Sequence, residues 1–285
     1  MLSQNPLQLD FPDYCARALT DTEFFAKYEA QILSKPSDGG VGKLMPCIPK
    51  PSQQGLWSKL SRARKISKKV RLVVGKARQV HASTATAIWC CQQALKNPYT
   101  RTLMITNLGS TTKHLADCYR LVLTSLGALS LAELGHELET DNVLEIVLRN
   151  GSWLNAFTSG NSEVGHGFTF GIVHGSEVAR WRDPVTTMEA IGPAFEAAHI
   201  VVMETTSEGH GGWFYETYCG GQPWEEWSTC APHQRTWLRH FIPWYGQSEY
   251  RLPTLLEEEA YVGRREGVQR GLVSQEEDDL IGRHG

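Results

Sequence analysis

The chain has 285 residues, with 41% hydrophobic and 21% charged residues and a formal net charge of −3, the balance of an ordinary globular protein. No apolar run approaches the roughly 18 residues of a membrane span, and the N-terminus lacks the charged start and apolar block of a secretion signal. These features exclude an integral membrane protein. We expect a soluble intracellular protein with one large domain and an appendage, or with two small domains.

The predicted elements, in chain order, alternate between strands and helices. One or two helices are predicted within 11–33, followed by a Gly-, Pro- and Ser-rich linker at 34–55. The later predictions are a helix from Leu56, strand 70–74, helix 83–96, strand 102–106, helix 110–126, strand 143–148, strand 168–173, helix 183–199 and strand 200–203. Such alternation favours an α/β fold with a mostly parallel sheet, in which ligands bind beyond the carboxyl ends of the strands.

Charge is distributed unevenly along this order of elements. Between Lys59 and Arg78 the sequence has nine lysines or arginines and no acid, whereas acidic runs stand at 257–259 and 276–279. A basic run suits a polyanionic partner, but a solvated helix face explains it equally well. Both interpretations stay open.

The cysteines predict no disulfide framework. Seven are present, none in a C-x-x-C pair, and Cys90 and Cys91 are adjacent in a helix-like segment, which is poor disulfide geometry. We therefore expect reduced thiols, as is usual in a cytosolic compartment.

The first strand end of interest leads into V-V-G-K-A-R-Q-V-H-A-S, residues 73–83, which has the layout of a phosphate-binding loop. A strand that runs into a turn and a helix presents backbone N–H groups and a positive helix end to an anion. Ser83 stands where a hydroxyl can ligate Mg²⁺, while Ala82 occupies the usual lysine position and Lys76 and Arg78 supply charge earlier. A plain strand–turn–helix connection is the alternative.

The second segment, F-T-F-G-I-V-H-G-S-E at 168–177, places Ser176 and Glu177 at the end of an apolar run. Metal-assisted hydrolysis of a nucleoside triphosphate needs support for the Mg²⁺ shell and a carboxylate that orients water. A Glu177 that only caps the next helix is the alternative. His174 and Glu177 also form H-x-x-E, but no further ligand cluster supports a metal centre.

The third segment, E-T-T-S-E-G-H-G-G at 204–212, follows another apolar strand. Its hydroxyls are candidates for sensing a γ-phosphate or a catalytic water, and its glycines allow the backbone to turn sharply. Alone it is only a polar strand end.

In this order, the three segments resemble the large subunit of phage terminases, the motor that packages DNA. K-A-R-Q-V-H-A-S is similar to the deviant phosphate loop K-x-R-Q-x-G-x-S of that family, and V-H-G-S-E-V-A-R-W resembles its Walker B segment. E-T-T-S-E-G resembles its coupling motif. N-S-E-V-G-H-G-F-T-F and F-I-P-W-Y-G-Q-S-E-Y-R-L-P extend the match over roughly residues 50 to 285.

The resemblance implies a RecA-like sheet of the additional-strand P-loop ATPase type, with a small C-terminal lid and linker subdomain. The implied division is an N-terminal helical segment and linker at 1–50, an ATPase core at 51–215, and a lid at 216–285 that leads towards a missing nuclease domain. The implied activity is ATP hydrolysis that moves double-stranded DNA into a procapsid. ATP and Mg²⁺ are the implied cofactors.

Individual roles follow from the same resemblance. Glu177 is the implied catalytic carboxylate, Ser176 supports the metal's outer shell, Ser83 ligates Mg²⁺, and Thr206 couples hydrolysis to movement. The implied nucleotide-binding loop, with Lys76 on phosphate and Arg78 beside it, consists of Lys76, Ala77, Arg78, Gln79, Val80, His81, Ala82, Ser83 and Thr84.

Other implied features concern the adenine side of the nucleotide and the partners of the protein. Gln54 is the implied adenine-side glutamine, although Gln53 fits almost as well. The implied partners are double-stranded DNA, a portal that carries a homo-oligomeric ring, and a small terminase subunit, in the cytoplasm of a bacterial host. The unranked candidates for an arginine that completes a neighbour's site are Arg101, Arg120 and Arg149.

The sequence also departs from the family pattern. His81 replaces a glycine at a loop position where we expect positive φ, and His166 replaces a frequent arginine. Nuclease activity is not expected, because the acidic cluster 277–279 lies in a helix-like tail and does not resemble strand-mounted nuclease ligands. Two other interpretations stay open: a weak or inactive motor relative that binds DNA or partners, and a helicase fragment, for which no helicase arginine motif is apparent.

Overall fold

An eight-stranded, mostly parallel sheet forms the centre of the computed structural model, which describes residues 9–33, 42–160 and 168–245. The strands in these residues are β1 (Gln31–Leu33), β2 (Leu44–Pro46), β3 (Val70–Lys76), β4 (Arg101–Thr106), β5 (Leu138–Asp141), β6 (Glu145–Leu148), β7 (Trp153–Thr158), β8 (Ile172–Ser176), β9 (Ile200–Thr206) and β10 (Leu238–Ile242). The helices are α1 (Phe11–Thr20), α2 (Thr22–Tyr28), α3 (Pro51–Ile66), α4 (Ala82–Lys96), α5 (Gly109–Thr124), α6 (Pro184–Ala190), α7 (Gly192–Ala197), α8 (Gly212–Cys219) and α9 (Trp224–Trp227).

The sheet has the strand order β10-β3-β9-β8-β4-β7-β6-β5. Neighbours from β10 to β7 are parallel, whereas β6 and β5 extend the sheet in antiparallel fashion, and β1 and β2 form a separate antiparallel pair. Parallel neighbours need long crossover connections, which the helices supply. The predicted α/β class with a mostly parallel, helix-flanked sheet is confirmed.

The central strands divide their side chains between two faces, because successive residues of a strand alternate. Val73 and Met203 point to one face and pack with side chains of α7 and α8 in the main hydrophobic core. Lys76, Ser176 and Glu204 belong to the alternate rows, on the face that α4 and α5 cover. The polar strand ends therefore converge beneath α4.

Helix α3 begins at Pro51, earlier than the sequence predicted, so part of the predicted linker is helical. Proline suits the first helical turn, and Gln53 Oε1 accepts a hydrogen bond from the Lys50 backbone N–H at 2.9 Å. The Trp57 indole donates to the Ala85 carbonyl at 2.9 Å, which joins α3 to α4.

Several element predictions were wrong in position or missing. The strand predicted at 168–173 is β8, which is shifted towards Ser176 because its backbone pairs with β4 and β9 there. The strand predicted at 143–148 begins at Glu145 and runs antiparallel to β7. Strands β1, β2, β5, β7 and β10 were not predicted, because they are short and mix polar with apolar residues. β1 lies at the end of the range predicted as helical, 11–33, and β2 lies within the predicted linker.

The helix predicted at 183–199 is two helices, α6 and α7, separated at Ile191. Pro193 in the first turn of α7 has no backbone N–H to continue α6, and its ring disfavours a helical residue before it. The break turns the chain before it enters β9.

The aromatic-rich segment 216–245 packs onto the sheet. β10 pairs with β3, and Trp227 is buried with its indole N–H donating to the Thr236 carbonyl at 3.0 Å. The described residues all belong to one compact unit, in which the predicted boundary at 215 lies within α8. The three-part domain division stays a prediction, and residues 246–285 lie outside the described part.

The basic run from Lys59 to Arg78 divides between structural and exposed positions. Arg71 donates to the carbonyls of Phe195 and Ala198 at 2.8 and 3.0 Å and so ties β3 to α7. The exposed basic residues of the run are Arg62, Arg64, Lys65, Lys68, Lys69 and Arg78. The run is therefore more than a solvated helix face, since part of it holds the fold together.

Two sequence-based expectations concern the whole molecule. All seven cysteines are free thiols, which confirms that no disulfide staples the fold. Within the described ranges, every helix is too short or too polar to cross a membrane.

Gly175 in β8 lies where a side chain has no room. A Cβ there would lie 2.2 Å from Met203 Sδ and 3.1 Å from the Trp181 ring, inside the packed core. Gly175→Ala should lower the free energy of unfolding by about 1–3 kcal/mol, the usual cost of overpacking, as measured by urea denaturation.

Gly192→Ala is the matched control, because a Cβ at Gly192 meets no atom within 4 Å and alanine favours a helix. A Gly175→Ala variant as stable as the parent would contradict this packing.

Candidate functional site

The ends of three adjacent strands bring polar side chains together beneath the start of α4. In the sheet register, Lys76 of β3 lies beside Thr206 of β9, and Ser176 of β8 lies beside Glu204 of β9. Ser83 stands in the first turn of α4 above them. Residues distant in sequence thus meet at the carboxyl ends of neighbouring strands, as the parallel topology requires.

Lys76 is at the centre of this group. Its Nζ lies 2.9 Å from Glu177 Oε1, 2.8 Å from Glu204 Oε2 and 3.4 Å from Ser83 Oγ. The lysine side chain is only 8% exposed. Burial works to lower the pKa of Lys76, but the attraction of Glu204 and Glu177 outweighs it and holds that pKa above the ordinary lysine range.

Glu204 is the buried counter-ion of the group, with no exposed surface. Ser83 Oγ donates to its Oε1 at 2.7 Å, and His174 Nε2 lies 3.6 Å from the same oxygen. Its Oε2 meets Lys76 as an ion pair without an aligned hydrogen bond. Burial works to raise the pKa of Glu204, but Lys76 and His174 hold it well below the ordinary glutamate range.

Glu204 has no role predicted from the sequence, where it is only the start of a polar segment after an apolar strand. The structure places it inside β9, paired with Val74 and Ser176. The available signal was a carboxylate directly after four apolar residues, Ile200–Met203, because such a position is buried and needs a cation.

The loop between β3 and α4 contains two residues in the left-handed region, Gln79 with φ 62° and His81 with φ 58°. The expectation of positive φ at His81 is confirmed. Lys50 Nζ lies 3.1 Å from His81 Nε2, and Ser52 Oγ donates to the Val80 carbonyl at 3.0 Å. The start of α3 therefore braces this strained turn.

The remaining loop residues have supporting positions. The Ala77 backbone N–H donates to the Ile242 carbonyl at 2.9 Å and extends the pairing of β3 with β10. Val80 and Ala82 are buried, Thr84 is half-buried, and Arg78 is exposed. Lys76, the first residue of the loop, contacts Ser83 and Glu177 in the site.

Glu177 also has a left-handed backbone, with φ 53° and ψ 43°. The Trp181 indole donates to the Ser176 carbonyl at 3.0 Å, and the Arg180 N–H donates to the Glu177 carbonyl at 2.9 Å. The Glu177 side chain makes no capping hydrogen bond to the short 3-10 helix at Val178–Arg180 and instead binds Lys76. Glu177 therefore stands at the N-cap position of this helix without capping it through its side chain.

The glutamines considered for the adenine side are both hydrogen-bonded within the N-terminal part of the protein. Gln54 Nε2 donates to Glu23 Oε1 at 2.7 Å, and the Gln53 side chain caps α3 at Lys50. At the start of α3, Ser52 and Lys50 contact the loop. An adenine-side role for either glutamine stays a prediction.

The side chains at this site suit a cation that is coordinated mostly by water and phosphate oxygens. Ser83 Oγ and Ser176 Oγ lie 3.4 Å apart. Among the described residues, no group of three or more His, Cys, Asp or Glu side chains can hold a metal. Mg²⁺ typically takes one or two protein ligands and completes its shell with water and phosphate oxygens, which fits this donor set.

Comparison with known proteins gives structural matches only. No family model matches the sequence, and no curated protein does. The large terminase of bacteriophage HK97 matches with a TM-score of 0.57 at 11% identity, over 89% of this chain and 52% of that protein. The chain thus spans about half the length of the HK97 protein.

Two further structural neighbours are also phage large terminases. The ATPase domain of the Thermus phage P74-26 enzyme has a TM-score of 0.48 at 17% identity, over 80% of this chain and 89% of that one. The large terminase of another, thermophilic bacteriophage, in complex with ADP, has a TM-score of 0.47 at 11% identity, over 68% of this chain and 45% of that one. The terminase resemblance is confirmed at the level of the fold. This conclusion rests on the HK97 match, which has the highest TM-score of the three.

The strain at His81 predicts an unusual order of stabilities. In the left-handed region alanine costs about 1 kcal/mol more than glycine, so His81→Gly should be more stable than His81→Ala by about that amount. Both variants lose the imidazole, so the comparison isolates the backbone. Thermal and urea unfolding measure the difference.

Lys113 in the exposed middle of α5 is the matched control, where Lys113→Ala should be the more stable of the corresponding pair by about 1 kcal/mol. If His81→Ala were also more stable than His81→Gly, the left-handed turn would not be maintained in solution.

The Lys76–Glu204 pair predicts a large effect of removing one partner. Lys76→Met leaves Glu204 buried without its cation, so the free energy of unfolding at pH 7 should fall by about 3–5 kcal/mol. The double variant Lys76→Met/Glu204→Gln should regain most of this loss. Urea denaturation of both variants and the parent gives the comparison.

The same variants test the pH dependence. The folded pKa of Glu204 lies below the unfolded value of about 4.3, so its stabilisation is full above that value and is lost as pH falls towards the folded pKa. The double variant should lack this part of the parent's acid sensitivity. A single variant that loses less than about 1 kcal/mol would contradict the buried pair.

Proposed function

We propose that this chain binds Mg²⁺–ATP and hydrolyses it, as the ATPase of a viral DNA-packaging motor that moves double-stranded DNA into a procapsid. The single observation that carries the proposal is the position of Lys76. A lysine at the front of the loop is buried among Ser83, Glu177 and Glu204, at the start of a helix. The fold shared with a phage large terminase supports the same function.

The start of α4 suits a phosphate group. The first N–H groups of a helix have no partner within it, and together with the helix dipole they favour an anion. Ser83 presents its hydroxyl in this first turn, and Lys76 reaches it from the end of β3. In the proposed complex Lys76 leaves its carboxylates for the β,γ-phosphate oxygens, and the loop from Lys76 to Thr84 wraps the phosphates.

Glu177 is the proposed catalytic residue for hydrolysis. Its strained backbone fixes the carboxylate on the site side of the chain, where it orients the attacking water. Ser83 would hold Mg²⁺ directly, and Ser176 would hold a water of its outer shell. When bound, the metal would neutralise charge that develops on the phosphates.

Coupling of hydrolysis to movement is proposed to pass through the end of β9. Thr206 lies beside Lys76 in the sheet, and the neighbouring Thr205 Oγ1 accepts a hydrogen bond from the Ala179 N–H at 3.3 Å. Arg180 and Glu208 form an ion pair between the segments that follow β8 and β9. A shift of Glu177 on hydrolysis would therefore reach β9 directly.

The remaining elements of the proposal follow the terminase resemblance. The partners are DNA, a portal with a homo-oligomeric ring, and a small terminase subunit, in the bacterial host's cytoplasm. Nuclease activity is not proposed for this chain. Arg101, Arg120 and Arg149 stay unranked candidates for the arginine that completes a neighbour's site, and of these Arg120 is bound by Asp117 and Asp141.

A weak or inactive relative of the motor is the second candidate. The observation that favours it is the pairing of Lys76 with two carboxylates, which compete with phosphate for the ammonium group. Such a protein would bind DNA or partners without appreciable turnover.

ATP turnover with and without double-stranded DNA separates the two candidates. We expect DNA-stimulated turnover by the parent, and at least a hundredfold lower turnover by Glu177→Gln with ATP binding retained, because positioned acid–base groups contribute about 10²–10⁴. Phosphate release and calorimetric ATP titration supply the two readouts.

Glu189→Gln is the matched control, since Glu189 is an exposed carboxylate on α6 and should not change turnover. Parent protein that binds ATP without turnover would favour the inactive relative. Undiminished turnover by Glu177→Gln would remove Glu177 from the catalytic role.

A further inference from the structure

A buried polar chain leads from the site into the protein interior. His174 of β8 and Tyr119 of α5 are 0% and 2% exposed. Tyr119 Oη and His174 Nδ1 are 2.9 Å apart, and His174 Nε2 lies 3.6 Å from Glu204 Oε1. Neither His174 nor Tyr119 has a role in the proposed hydrolysis.

The surroundings of His174 make this arrangement unusual for a core position. Its neighbours in the adjacent strands are Met104 and Val202, both buried and apolar. Burying an imidazole there carries a desolvation cost that a hydrophobic residue would avoid. Both ring nitrogens nevertheless face polar groups, which indicates a specific use.

The contacts favour one arrangement of the ring protons. Glu204 is a carboxylate and can only accept a hydrogen bond, so the arrangement that fits its approach to Nε2 has Nδ1 accepting from the Tyr119 phenol at 2.9 Å. The proton of His174 then resides on Nε2, which faces the Glu204 carboxylate. At 3.6 Å this N–H has no hydrogen-bond partner yet.

Glu204 needs a second donor once Lys76 moves. In the structure Lys76 neutralises it, and a buried carboxylate without a partner is strongly unfavourable. The other side chains within reach are Ser83, which the proposed function assigns to Mg²⁺, and His174. A small shift of Glu204 towards His174 would close the gap.

We propose that His174 is a positioning residue. When Lys76 turns to the phosphates, His174 donates an Nε2–H hydrogen bond to Glu204 in its place. Tyr119 holds the imidazole ring in the orientation that this contact needs. The inference rests on the proposed function, because it needs Lys76 to bind nucleotide. His174 thereby lowers the cost of releasing Lys76. It acts through Glu204 and does not touch the nucleotide.

Paired variants at His174 separate its two nitrogens. His174→Asn keeps an amide near Nδ1 but loses the donor towards Glu204, so the Kd for a hydrolysis-resistant ATP analogue with Mg²⁺ should rise about tenfold or more, as for a lost hydrogen bond to a charged group. His174→Gln places an amide N–H near Nε2 and should retain an affinity close to that of the parent. Isothermal titration calorimetry measures the Kd values.

The Glu204→Gln background distinguishes positioning from packing. A neutral amide loses much less than a carboxylate when a donor is missing, so His174→Asn should raise the Kd much less in that background. A loss of the same size in both backgrounds would show a packing role and overturn the inference. Tyr119→Phe, which keeps the ring shape, should raise the Kd severalfold only when Glu204 is present, and it provides the test if His174→Asn does not fold.

Failure of the inference is distinct from failure of the proposed function. If the parent does not bind the analogue, both are overturned. If the parent binds it and Tyr119→Phe and His174→Asn bind equally well, only the role of His174 is overturned.

Discussion

The ion pair between Lys76 and Glu204 is the interaction on which the rest of the site depends. Both groups are buried, so neither can ionise without the other at acceptable cost. Their pairing joins the carboxyl ends of β3 and β9 and places the lysine beneath the first turn of α4. A site built in this way stores a cation within reach of a phosphate and shields it from solvent. In the proposed function the same carboxylates that hold the lysine would have to release it to phosphate, and the proposed hydrogen bond from His174 to Glu204 would compensate for that release.

Backbone strain is concentrated around this pair. Among the described residues, four non-glycine residues have positive φ, and three of them, Gln79, His81 and Glu177, belong to the candidate site. Each such residue costs on the order of 1–3 kcal/mol unless its surroundings enforce it. The start of α3 enforces the loop, and Trp181 enforces the turn at Glu177. The backbone strain thus lies where the side chains of Lys76 and Glu177 are positioned, which is the pattern expected of a functional site.

The sequence predicted the sheet's centre better than its edges, for a physical reason. Strands β3, β4 and β9 are apolar runs buried on both faces, whereas β7 and β10 carry polar residues that only pairing with a neighbour holds in a strand. The terminase resemblance, together with the positions of these residues after apolar strands, also predicted that Lys76, Ser83, Ser176 and Glu177 share one site, and the structure places them in contact. His174 could not be assigned, because its meaning comes from the register of β8 with β9, which no local pattern encodes. Glu204 had a local signal, a carboxylate after an apolar run, but its partners also come from that register. The roles of all these residues stay proposals.

The most direct test of the account is a crystal structure of the protein with Mg²⁺ and a hydrolysis-resistant ATP analogue. The account predicts the phosphates at the first turn of α4, with Lys76 Nζ within hydrogen-bonding distance of a β- or γ-oxygen and no longer bound to Glu204. An analogue bound with its phosphates elsewhere, or held while Lys76 still bridges Glu177 and Glu204, would contradict it.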